Sequence, residues 1–183
     1  MLAHFQYLSI SFLRFTVDPN NPEYPQIPKQ QKLLDVGVYY AILGFLGGSL
    51  LWCVVEAAEY LSLFSPLIEL NNGDQVFLTV FSAVVVAPIV EEGISRLFLG
   101  YVRHLSYFKW LYYLSSLSFG WIHIFTYDYD QSHYLYIPII TGAQTFAGLL
   151  FGYVRIRYGF WYGVLLHSMY NLLVVISLYT IGY

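Results

Sequence analysis

Residues 76–100 read VFLTVFSAVVVAPIVEEGISRLFLG, an apolar run long enough to cross a bilayer that nevertheless holds Glu91, Glu92 and Arg96. A helix across hydrocarbon needs about 20 predominantly apolar residues, and ionisable side chains within one are costly and point to function. Glu92 and Arg96 are four apart, so they share a helix face and can pair. Glu91 lies about 100° further round the helix, with poorer spacing to Arg96. The spacing predicts one glutamate that is held and one that is left available. Pro88, three residues before Glu91, predicts a kink that frees backbone carbonyls.

The rest of the chain has the same character. Of 183 residues 58% are hydrophobic and 10% charged, against about 25% charged in a soluble domain. Mean hydropathy is +0.58. The prediction is an all-α polytopic transmembrane bundle, with spans near 36–58, 76–99, 109–126, 134–154 and 159–181. Strict two-residue alternation, which a membrane barrel would need, is absent. The aromatic stretch Phe5–Phe15 is too short to span and reads as an amphipathic segment at the interface, and 18–32 reads as a loop. Residues 1–35 thus form an N-terminal cytoplasmic or interfacial segment, and 36–183 the membrane domain.

Loop charges set a direction. Arg14, Lys29 and Lys32 precede the first span, Arg103 and Lys109 fall in the second connection, and Arg155 and Arg157 in the fourth. The first and third connections hold Glu69, Asp74, Asp128 and Asp130 and no Lys or Arg. This alternation predicts five crossings with the N-terminus in the cytoplasm, as an integral protein of a cell membrane. A net charge of −3 gives no basic footprint, so nucleic acid is not an expected partner. The single cysteine, Cys53, excludes an internal disulfide and a Cys-based metal cage, and reads as a small buried hydrophobe. No cleavable signal peptide is evident. Glu56 and Glu59, at the outer end of the first span, read as solvated. His4, His104 and His133 are given no chemistry.

Two further segments carry polar groups. SSLSFGWIHIF (115–125) places His123 in the outer half of the third span, and YGFWYGVLLHSMYNLLVVISLY (158–179) places His167 and Asn171 on one face of the fifth. At about 1.5 Å per residue, Glu91 and His167 lie roughly 12 Å deep, Asn171 roughly 18 Å and His123 roughly 21 Å. Helix tilt accommodates that spread. Interhelical hydrogen bonding alone is the plainer reading of each histidine.

Taken together, EEGISR (Glu91, Glu92, Arg96), FGWIH (Phe119, His123) and HSMYN (His167, Asn171) resemble the EExxxR, FxxxH and HxxxN/D motifs of the CAAX-protease and bacteriocin-processing (CPBP, or Abi) family of intramembrane proteases. The resemblance covers roughly 76–175. It implies an endopeptidase acting on a peptide or membrane-anchored protein, with Glu91 and His123 activating water, His167 and Asn171 stabilising the oxyanion, and Glu92 and Arg96 supporting the site. The compact chain fits a bacterial member better than a prenyl-protein processing enzyme. A zinc version, with Glu91, His123 and His167 as a His₂Glu ligand set, is the open alternative in mechanism, although no HExxH motif is present. The competing functions are a non-proteolytic immunity or scaffold protein on the same fold and a proton-coupled transporter. The absence of internal repeats argues against the transporter.

Overall fold

A computed structural model describes residues 1–19, 26–70 and 76–181. Part of the predicted 18–32 loop, and Asp74, lie outside the described residues. Six helices account for nearly all of what is described. They are α1 (Leu2–Val17), α2 (Lys29–Tyr60), α3 (Val76–Val102), α4 (Phe108–Ile122, continued by a 3₁₀ turn His123–Thr126), α5 (Gln131–Arg157) and α6 (Phe160–Ile181). The protein is thus an all-α polytopic bundle, as predicted. Four helices (α2, α3, α5 and α6) are long and apolar enough to cross a membrane. They correspond to four of the five predicted spans, and the remaining predicted span, near 109–126, is α4, with 15 α-helical residues and four more in its 3₁₀ turn.

Two core clusters hold the helices. The larger joins Leu8, Phe12 and Phe15 of α1 to Val36 and Tyr40 of α2, Tyr112 and Phe119 of α4, and Phe151 and Tyr153 of α5. The smaller lies towards the end bearing the acidic loops, around Val55, Phe64, Ile124 and Ile140. There Ile68–Glu69 (β1) pairs antiparallel with Tyr127–Asp128 (β2), tying two loops together. Asp130 caps α5, accepting from the Ser132 N–H and hydroxyl at 2.7 Å. These bonds, with another from Ser65, hold its carboxyl down to about 2. His133, read as a loop residue, is buried in the first turn of α5 and donates to Ser65 O at 2.9 Å.

Segment α1 lies against the bundle through its Leu8, Phe12 and Phe15 face, leaving Tyr7, Ile10 and Leu13 exposed. Polar ties add to this contact: the Tyr113 hydroxyl donates to Thr16 O at 2.8 Å, His4 Nε2 meets Asp35 Oδ1 at 2.8 Å, and the Tyr40 hydroxyl donates to Leu8 O at 3.5 Å. Asp35 is buried, and its other oxygen accepts from the Tyr158 hydroxyl at 3.0 Å. Cys53 corrects its sequence reading: it is exposed, because it lies on the outer face of α2 beside exposed Val54. On a bilayer-embedded helix, an apolar residue has no need to face the core.

Close approach of α4 and α5 depends on absent side chains. A Cβ on Gly120 would lie 2.9 Å from Thr145 Cα, and one on Gly148 would lie 2.9 Å from Ser116 O. Small residues serve membrane helices in this way because hydrocarbon gives them no hydrophobic push together. Gly120→Val should therefore destabilise the detergent-solubilised protein by about 1–3 kcal/mol, read as a lower thermal midpoint. Gly142→Ala, which meets nothing within 4 Å, should leave that midpoint unchanged or raise it.

Candidate active site

Pro88 shapes the helix that carries the first motif. Its ring opposes the ordinary α-helical ladder, and the preceding turn, Ser82–Val86, takes the wider π pitch, with the Ala87 N–H reaching back five residues to Ser82 O. One residue on in that register, the donor for Ala83 O would be the N–H that Pro88 lacks. The acceptor is satisfied from another helix: Asn171 Nδ2 donates to Ala83 O at 2.7 Å. The predicted freeing of carbonyls thus takes the form of a π turn and an interhelical bond. Asn171, expected to face the oxyanion, gives one of its two amide hydrogens to α3.

Beyond Pro88, the helix presents Glu91 and Glu92 differently. Glu92 and Arg96 are both fully buried and form a direct Nη1–Oε1 ion pair one turn apart. His167 Nδ1 lies 3.1 Å from the same Glu92 oxygen. The Arg96 guanidinium sits over the Phe119 ring, its carbon 4.0 Å from the centroid, which adds a cation–π attraction where no water competes. Phe151 stacks on His167 with centroids 4.5 Å apart. Ser95, next to Arg96, hydrogen-bonds its guanidinium at 3.1 Å, and the Ser115 hydroxyl donates to Ser95 O at 2.7 Å. Phe151 and Ser115 escaped the sequence reading, for an aromatic or a serine in an apolar helix carries no distinguishing pattern.

Glu91 stands outside that network. Its side chain is 35% exposed, and Oε2 lies 3.8 Å from His167 Nε2. His123 Nδ1 contacts Phe119 O at 2.6 Å. A carbonyl can only accept, so Nδ1 carries the proton and Nε2 presents a lone pair. The Phe119 ring lies 4.8 Å from the His123 ring and 5.7 Å from the His167 ring, centroid to centroid. The structure therefore brings Glu91, Glu92, Arg96, His123 and His167 into one neighbourhood. Asn171 lies one turn along α6 and is turned to Ala83.

Of the five buried side-chain polar atoms without a hydrogen-bond partner among the described residues, four belong to Glu91, Glu92 and Arg96. Buried polar groups are nearly always satisfied, so this concentration marks a place built to receive a polar guest. A three-ligand metal set is not assembled: among the described residues, no group of three or more His, Cys, Asp or Glu side chains is placed to hold a metal ion.

Fold and site together define a polytopic membrane protein with a buried Glu–Arg–His centre beside an accessible glutamate. The family model of the type II CAAX prenyl endopeptidase Rce1-like proteins matches residues 73–173, more than half of the chain and the stretch in which the six predicted site residues fall. The chain belongs to that family, a family of peptidases. Comparison with curated proteins and with solved structures gives no match.

The ion pair generates a stability prediction. Arg96→Met leaves a buried carboxylate without its cation and should cost about 3–5 kcal/mol, seen as a large drop in thermal midpoint. The double variant Glu92→Gln, Arg96→Met removes both charges and should recover most of that loss. Equal midpoints for the single variant and the parent would show that the pair does not hold the site.

Proposed function

We propose that the protein is an intramembrane endopeptidase that hydrolyses a peptide bond in a peptide or membrane-anchored protein, with Glu91 and His123 activating the water. One observation carries this reading: of two adjacent glutamates, Arg96 and His167 hold Glu92, while Glu91 stays partly accessible beside His167. Amide hydrolysis needs a base for water, donors for the oxyanion and a proton for the leaving nitrogen.

In the proposed step, the Glu91 carboxylate takes a proton from water while the water oxygen bonds to the scissile carbonyl carbon. His123 Nε2, with its lone pair free, orients that water. Negative charge then develops on the carbonyl oxygen. In this reading His167, whose Nδ1 meets the Glu92 carboxylate, donates from Nε2 to that oxygen. The second amide hydrogen of Asn171 is a further donor. The proton on Glu91 passes to the amide nitrogen, the C–N bond breaks, and a carboxylic acid and an amine leave. Every group needed is a side chain of this chain, and no step passes through a metal. The basic loops support an orientation with the N-terminus in the cytoplasm.

Glu91→Gln and His123→Ala should each reduce cleavage on the order of 10²–10⁴-fold, measured with the purified full chain on quenched fluorescent peptides, prenylated and unprenylated. Because Glu91 lies outside the buried network, the Gln variant should keep its thermal midpoint. Undiminished cleavage by Glu91→Gln would remove the proposal. Dialysis against EDTA should leave the rate unchanged, and a loss restored by zinc would replace this mechanism with a metal-dependent one.

A further inference from the structure

Four of the five buried polar atoms without a hydrogen-bond partner among the described residues lie on Glu91, Glu92 and Arg96, and the fifth is Oε1 of Gln144 on α5. A peptidase centre accounts for the first four. The fifth has no part in it so far. An amide within a membrane helix is costly unless its polar ends are met. An aliphatic side chain of the same size would fill the position without that cost. The Tyr127 hydroxyl is within hydrogen-bonding reach of the Gln144 side chain, but one hydroxyl does not meet both ends of an amide. Oε1 is the end left over.

The face of α5 that carries Gln144 is the one turned to the site. At about 100° per residue, Gln144, Gly148, Phe151 and Arg155 fall within roughly 60° of one another. Arg155 Nε donates to Arg96 O at 3.3 Å, Phe151 stacks on His167, and a Cβ on Gly148 would lie 3.3 Å from Arg96 Nη2. Gln144 continues that row by one turn, towards the end bearing the acidic loops. Its height is matched on α4. Cβ atoms placed on Gly152 and Gly148 would meet Tyr112 and Ser116, and one on Gly120 would meet Thr145. This descending series brings His123, three residues after Gly120, within about a turn of Gln144 in height. From Gln144 to the level of Phe151 and His167 is about two turns, roughly 10 Å. Two or three residues of extended chain cover that distance at about 3.3 Å each.

We infer that Gln144 binds the main chain of the substrate, its Oε1 accepting the N–H of a peptide bond two or three residues from the scissile one. The residue as a whole is half-buried, so rotation about its outer torsions presents Oε1 to an incoming chain. Every residue except proline offers such an N–H. Gln144 therefore sets the register of an extended segment without selecting its side chains, and it disfavours proline at the position it holds. It takes no part in breaking the bond. The inference rests on the reading of the Glu91 centre as one that acts on peptides.

The test is fluorescence anisotropy of fluorescein-labelled peptides, prenylated and unprenylated, titrated with the purified full chain in detergent. Glu91→Gln is the background throughout, so that binding is read without turnover. Adding Gln144→Met should weaken binding by about three- to tenfold and leave the thermal midpoint unchanged or higher. Gln144→Leu repeats the measurement should the Met variant fail to fold by circular dichroism. The peptide is then N-methylated one amide at a time. One methylation should weaken binding to the chain that keeps Gln144 and have little effect on the variant that lacks it. With Glu91 restored, Gln144→Met should raise KM and leave kcat nearly unchanged. Parental affinity after loss of Gln144, no binding of any peptide, or no amide whose methylation acts through Gln144 would overturn the inference. Peptide binding without cleavage when Glu91 is present would instead remove the peptidase reading and leave Gln144 its role in binding.

Discussion

A carboxylate and a guanidinium removed from water within a helix bundle must satisfy each other, and the Glu92–Arg96 pair is the constraint around which the rest is arranged. Neither side chain is exposed. Desolvating two charges costs several kcal/mol per ion, recovered only if geometry is good and further contacts complete it. The further contacts come from three helices: Phe119 from α4, Phe151 from α5 and His167 from α6. Each contact also fixes the position of a helix, so the polar centre of this bundle specifies its packing.

The same arrangement separates the two glutamates into different chemical environments. Adjacent residues on a helix point in different directions, and the pair exploits that divergence. One carboxylate is locked into the network, while its neighbour faces a region where polar atoms have no protein partner. An apolar bundle with an accessible carboxylate beside His167 can concentrate its chemistry at one atom.

Much of this was legible in the sequence because membrane helices announce themselves through composition. All five predicted apolar segments are helical, with ends displaced by a few residues, and the i, i+4 spacing correctly paired Glu92 with Arg96. Three motifs on separate helices were enough to suggest the family. What could not be read depends on which atom meets which across the bundle. Nothing in HSMYN says that Asn171 turns to Ala83 O, because that bond arises from the π turn before Pro88. His167 on Glu92 joins residues 75 positions apart. Asp35 was missed because a lone acidic residue before an apolar run normally reads as solvated, whereas His4 and Tyr158 enclose it. Cys53 was misplaced because apolarity signals the interior only when the surroundings are water.

The bond between Asn171 and Ala83 ties the evolutionary fates of positions far apart in the chain. In hydrocarbon, an unsatisfied carbonyl costs several kcal/mol, so Pro88 is tolerable only while some other donor reaches Ala83. Replacing Asn171 with an apolar residue strands the carbonyl. Replacing Pro88 with a residue that donates its own N–H gives Ala83 O, which can accept two hydrogen bonds, a second donor and makes the Asn171 bond dispensable. Substitutions at 88 and 171 are therefore epistatic: loss of Asn171 is harmful while Pro88 stands and tolerable once Pro88 has been replaced. A proline that looks like a local defect in one helix thereby constrains which residue the neighbouring helix can carry.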